Sequence, residues 1–138
     1  MRLGNLAPMF EPIVWMFKPY IIGTTLTDCY LQYGTGTFSS QYIQNNIIEY
    51  SSHINNRKHE SEKPLGLIEI LIKTFTKEEQ IILDCFSGSC STGIACINTN
   101  RNFIGIEKDE KYFNIGVNRV KENITENYTL EVVADEIK

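Results

Sequence analysis

Positive charge, histidine, paired cysteines and long apolar runs are all scarce in this 138-residue chain, and each scarcity narrows its chemistry. Thirteen Lys and Arg against seventeen Asp and Glu leave a net charge of −4. Such a balance speaks against a free-standing nucleic-acid binder that works through a basic stripe, though not against the cofactor-binding part of one. Four cysteines (Cys29, Cys85, Cys90 and Cys96) form no CxxC pair, and only two histidines accompany them, so no metal site is expected. The apolar runs are a few residues long, far short of a membrane span, and Met1-Arg2-Leu3 does not lead into a signal-peptide core. A cytoplasmic protein without a membrane partner is the expectation, its thiols acting as small apolar side chains. The four prolines, Pro8, Pro12, Pro19 and Pro64, include no adjacent pair, and no internal repeat is visible.

What is present centres on 81–107, IILDCFSGSCSTGIACINTNRNFIGIE. The apolar run Ile81-Ile82-Leu83 ends on Asp84. A small-residue loop, Phe86-Ser87-Gly88-Ser89-Cys90-Ser91-Thr92-Gly93, leads into a short helical pattern. A second apolar run, Phe103-Ile104-Gly105-Ile106, ends on Glu107. Strand, small loop, helix, strand and acid is the outline of a nucleoside-cofactor site. A loop between a parallel strand and a helix aims backbone N–H groups at whatever lies above the strand end. Gly88 admits a ligand to the backbone, and Ser89, Ser91 and Thr92 offer hydroxyls. Asp84 can accept from a cationic amine. Glu107, 23 residues further on, stands where an acid reaches ribose hydroxyls. A dinucleotide would need Gly-x-Gly-x-x-Gly, and Cys90 stands where its second glycine would help. A ligand with one nucleoside and a charged amino-acid part, such as S-adenosylmethionine, fits better.

The rest of the chain reads as support. Ile13, Trp15 and Phe17 alternate with Val14, Met16 and Lys18 between Pro12 and Pro19, which predicts a core strand within 1–20. Residues 21–58 are rich in Gly, Thr, Ser, Asn, Gln and Tyr without a sustained period, and read as a loop-rich segment suited to recognition. Pro64 occupies a first helical position, and Leu65, Ile68, Leu71, Ile72 and Phe75 recur at helical spacing. Asp109 is an N-cap for a helix from Glu110 to about Asn123. Its buried face is expected to hold Tyr112, Phe113, Val117 and Val120, with Lys111, Arg119, Lys121 and Glu122 facing water. The tail from Tyr128 to Val133 reads equally as a short strand or a frayed end.

These motifs, in this order, resemble the C-terminal half of the permuted (beta-class) DNA amino-methyltransferases, which modify adenine N6 or cytosine N4. The residues that carry the resemblance are His59-Glu-Ser-Glu-Lys63-Pro64, Leu83-Asp84-Cys-Phe86-Ser-Gly88-Ser89-Cys-Ser-Thr92-Gly, and Phe103-Ile-Gly-Ile-Glu107 with Tyr112-Phe113. The resemblance implies an α/β fold: a partial Rossmann-like, S-adenosylmethionine-dependent methyltransferase domain over 1–138 with an incomplete sheet and its cofactor-binding part in 59–124. It implies cofactor contacts from Asp84, Phe86, Gly88, Ser89 and Thr92, ribose contacts from Glu107, and His59, Glu62, Lys63 and Pro64 near the methionine end. Double-stranded DNA would be the substrate of the complete enzyme, in a restriction-modification setting. Two departures stand out. Cys85 replaces a usual proline, and Cys90 a usual glycine; a positive φ at position 90 would cost Cys90 about 1 kcal/mol or more.

The family's catalytic tetrapeptide, Asp/Asn/Ser-Pro-Pro-aromatic, requires a proline pair that this sequence does not contain, so no catalytic residue is assigned. A cofactor-binding portion inactive by itself is expected, completed by a complementary N-terminal chain or a second copy. The alternative is a non-catalytic interaction module, a degenerate fold that a partner completes.

Overall fold

In the computed structural model the described residues are 12–14, 25–33, 38–45, 47–50 and 62–124. The chain divides into two compact units, Met1–Gly36 and Thr37–Lys138.

In the first unit, a helix, α1, spans Leu26–Tyr33, inside the stretch expected to be loop. Leu26, Cys29, Tyr30 and Tyr33 recur at helical spacing along it, over two turns only. Its start is set by a reciprocal cap. The Thr25 N–H and hydroxyl both donate to Asp28 Oδ2 (2.8 and 2.7 Å), and the Asp28 N–H returns a bond to Thr25 Oγ1. Those bonds hold the Asp28 carboxyl below its ordinary pKa. Of the expected N-terminal strand only 13 and 14 are described, and both are exposed and outside any element. The tail at 128–133 lies outside the described residues.

The second unit carries α2 (Leu65–Phe75), β1 (Ile81–Asp84), α3 (Ser91–Asn98), β2 (Asn102–Gly105) and α4 (Glu110–Asn123). Pro64 sits one residue before α2, as its N-cap. Its fixed φ of −58° suits a helix entry, while its ψ of 127° keeps it outside the helix. The two strands pair in parallel, Ile81 beside Asn102 and Asp84 beside Gly105, so both end at the same level. Asp109 caps α4 as expected, accepting from the Tyr112 N–H at 3.1 Å.

The pleat sends alternate side chains to opposite faces, and the two faces differ sharply. Ile82 and Phe103 turn inward and pack with Leu65, Ile68 and Ile72 of α2 around Ala95 and Cys96 of α3. Cys90, Ile94 and Val120 form a second cluster, which joins α4 to α3. At the far end of the strands Arg101 is buried. Its Nη2 donates to Thr76 O at 2.9 Å and its Nη1 to Thr99 O, tying the ends of α2 and α3.

On the other face Ile81, Leu83, Ile104 and Ile106 are 66, 58, 52 and 54% exposed. A parallel sheet ordinarily buries both faces beneath helices. Here the described helices cover one. The result is half of a doubly wound layer, the partial Rossmann-like arrangement anticipated from the sequence.

Candidate cofactor site

The level strand ends bring Asp84 and Glu107 to the same rim of the sheet, and the loop between β1 and α3 ties them together. Asp84 is held from two sides: Oδ1 accepts the Phe86 N–H at 3.0 Å and Oδ2 accepts the Thr92 hydroxyl at 2.7 Å. Ser87 anchors the loop to β2, donating its N–H (3.0 Å) and hydroxyl (3.2 Å) to Ile106 O. Gly88 takes a positive φ of 52°. Its N–H donates to Glu107 Oε2 at 2.7 Å, while Glu107 Oε1 accepts the Asp109 N–H at 2.8 Å. One backbone donor per oxygen leaves each carboxylate oxygen of Glu107 with further accepting capacity. Phe86, 90% exposed, stands out from this rim as a bare aromatic face.

Ser89 turns the other way. It is buried, and both its carbonyl and its hydroxyl lie within 3.3 Å of Arg119 Nη1. The same nitrogen lies 3.1 Å from Ser91 Oγ and 2.6 Å from Glu62 Oε1, which also accepts the Ser91 hydroxyl at 3.1 Å. The pair is largely withdrawn from water, with Glu62 4% and Arg119 22% exposed. Arg119 therefore does not face solvent as its charge suggested. The overlooked signal was position: Tyr112, Gly116 and Arg119 fall at steps of four and three along one flank of α4.

Cys90 does adopt a left-handed conformation, φ 63° and ψ 37°, at the N-cap of α3. The cost, about 1–2 kcal/mol for a residue with a Cβ, is offset by where the side chain goes. It enters the cluster with Ile94 and Val120, away from the strand-end rim. Two glycines make room: a Cβ on Gly93 would lie 2.5 Å from Cys90 Sγ, and one on Gly116 would lie 3.0 Å from Cys90 Cβ.

His59 lies outside the described residues. Lys63 is exposed and Pro64 half-buried at the entry to α2. Asp84, Phe86, Gly88, Thr92 and Glu107 gather on the rim, while Glu62 and Ser89 meet behind it.

The profile of the DNA methylase family N6_N4_Mtase matches residues 2–118. The chain belongs to the DNA methylase family. Among curated relatives it is similar to the type II methyltransferase M.HindIII of Haemophilus influenzae, at 40% identity over 86% of this chain and 42% of the relative. It is also similar to the DNA adenine methyltransferase YhdJ of Escherichia coli, at 34% identity over 55% of this chain and 25% of that protein. Among solved structures, the cytosine-N4-specific PvuII DNA methyltransferase shares the fold at a TM-score of 0.55, with 19% identity over 67% of this chain and 38% of that one. The chain thus spans less than half the length of the curated relatives named here.

Burial raises both core thiols, Cys90 to about 11 and Cys96 to about 12, whereas Cys85 is exposed. At pH 8 a disulfide-exchange reagent will label Cys85 first, with Cys90 and Cys96 reacting only on unfolding. Equal labelling rates in peptide mapping would contradict the packing. Because the folded chain keeps both thiols protonated while the unfolded chain ionises near the ordinary value of 9.0, stability holds below pH 9. It falls as pH rises from there toward about 11–12. A urea midpoint that does not fall between pH 8 and pH 10.5, on the order of one unit either side of thiol ionisation, would count against this.

Proposed function

We propose that this chain is the S-adenosylmethionine-binding portion of a DNA amino-methyltransferase acting on adenine N6 or cytosine N4 in double-stranded DNA. The observation that carries the reading is the pair of carboxylates, Asp84 and Glu107, fixed at the ends of two parallel strands around a loop opened by left-handed Gly88. The fit is chemical. Asp84, oriented by Thr92 and the Phe86 N–H, faces the amino group of the methionine part. Glu107 offers its remaining acceptor capacity to the ribose diol, and Phe86 offers a ring to the adenine. Gly88 admits the ligand to the backbone; Ser89 and Glu62 act from behind the loop. His59, Lys63 and Pro64 belong to the methionine end in this reading.

S-adenosylmethionine supplies an electrophilic methyl on a sulfonium. The chain's own groups bind and orient that donor. Acceptors that keep the lone pair of a target amino nitrogen free would come from an Asp/Asn/Ser-Pro-Pro-aromatic segment, which this sequence does not contain. That segment belongs to a portion of the fold that covers the bare face of Ile81, Leu83, Ile104 and Ile106, in the same polypeptide or in another. Support comes from physics: four aliphatic side chains more than half exposed on a parallel sheet call for a covering layer.

Calorimetry tests the binding. S-adenosylmethionine and S-adenosylhomocysteine should both bind, and transfer of a labelled methyl to DNA by the chain alone should be undetectable. No heat even at millimolar ligand would favour the second reading, an interaction module whose left-handed Cys90 belongs to a site no longer used. The face has its own test. Changing Leu83 and Ile104 together to Lys should lower binding of a hydrophobic dye several-fold while shifting stability by only about 0.5 kcal/mol, as expected for exposed positions. Baseline dye binding by the unmodified chain would mean that the face is already covered.

A further inference from the structure

We infer that Arg119 is the positioning residue of the cofactor loop, setting the Ser89–Ser91 backbone from behind without touching the ligand. The inference rests on the cofactor reading above and deepens it. Three segments distant in sequence meet at Arg119 Nη1: Glu62 ahead of α2, Ser89 and Ser91 after β1, and the helix α4 that carries the arginine. Glu62 is almost fully buried, and a carboxylate so placed needs its counter-charge and its hydrogen bonds to be tolerated.

The pair does more than neutralise itself. The loop holds two left-handed residues, Gly88 and Cys90, one on each side of Ser89. Glu107 fixes one end of this reversal at the Gly88 N–H, and Arg119 fixes the middle at the Ser89 carbonyl and hydroxyl. The Ser87 carbonyl closes the turn by accepting the Cys90 N–H at 2.7 Å. With Arg119 gone, nothing charged would define the orientation of the Ser89 peptide. The strained Cys90 would then keep its side-chain packing and its own backbone bonds to Ser87 and Ile94, but lose the fixed peptide before it.

The geometry also says which substitution should rescue. All four contacts are made by one terminal nitrogen, so the forked shape of the guanidinium is not what the site uses. A lysine ammonium presents three donors at a single point and can serve most of them.

The test uses the full chain and three variants, Arg119→Lys, Arg119→Met and the double change Glu62→Gln with Arg119→Met. The double variant removes both charges and so avoids stranding a buried carboxylate. For it, thermal unfolding should stay near that of the unmodified chain, while affinity for S-adenosylmethionine drops roughly ten- to hundredfold, the scale of hydrogen bonds to a charged group. Amide exchange at Gly88 and Cys90 should speed up without ligand. Arg119→Lys should recover most of the affinity and the protection. A double variant that stays folded, binds like the parent and keeps both amides protected would overturn the inference, because the pair would then be purely structural. Arg119→Lys behaving no better than Arg119→Met would overturn it as well. Failure of the unmodified chain to bind S-adenosylmethionine would instead remove the cofactor reading, and the exchange measurements, which need no ligand, would still decide the role of Arg119 in the loop.

Discussion

Glu107→Ala will abolish measurable affinity for S-adenosylmethionine, a loss of about a hundredfold or more, and will loosen the loop even in the absence of ligand. Two backbone donors, the N–H groups of Gly88 and Asp109, end on this carboxylate at 2.7 and 2.8 Å. Each loses a charged acceptor, at about 1.5–3 kcal/mol per bond before water compensates. The proposed ribose contacts go at the same time. Glu107→Gln should be nearly as damaging, which is the sharper form of the prediction. An amide has one accepting oxygen, so its NH2 group would have to face one of the two backbone N–H groups. Titration calorimetry of both variants decides it. Affinity for either within a few-fold of the parent would show that the acid is not where the ribose binds.

Gly116→Leu should be the most destabilising change at a position remote from the rim, costing about 3 kcal/mol by over-packing a filled interior. Helix propensity alone points the other way, since replacing a helical glycine usually gains up to about 1 kcal/mol. Packing wins here. Even the first carbon of a side chain would meet Cys90 Cβ at 3.0 Å and the Gly88 carbonyl at 3.3 Å. Both neighbours belong to a left-handed stretch of backbone that cannot slide without giving up its bonds to Ser87 and Glu107. Urea denaturation reads the cost directly, and a midpoint equal to that of the parent would mean the loop yields freely. Gly116 thus couples an unremarkable helix position to the cofactor loop.

The strand–loop–helix–strand unit was legible because its cues are local: apolar runs ending in acids, small residues between them, Asp109 before a helix. The left-handed backbone at Cys90 could be framed as a condition from the sequence, since a family glycine is replaced there. The relief could not, because it depends on Gly93 and Gly116 lying against the thiol in three dimensions. Arg119 was misread for the same reason, a charged residue type outweighing its place on the buried flank of α4. α1 escaped although Leu26, Cys29, Tyr30 and Tyr33 are spaced as on one helix face, because a two-turn pattern set among Gly, Thr and Gln does not stand out as a sustained period. The incomplete sheet was anticipated from the resemblance, and the two described strands leave Leu83 and Ile104 exposed on one face.

That face has a consequence for how much of the protein a cell can hold. Chaperones and proteases recognise unfinished polypeptides by contiguous aliphatic surface, and Ile81, Leu83, Ile104 and Ile106 offer it on the back of a packed sheet. Left uncovered, such a chain is read as a client for degradation. Its steady-state level then follows the supply of whatever shields it more closely than its own rate of synthesis.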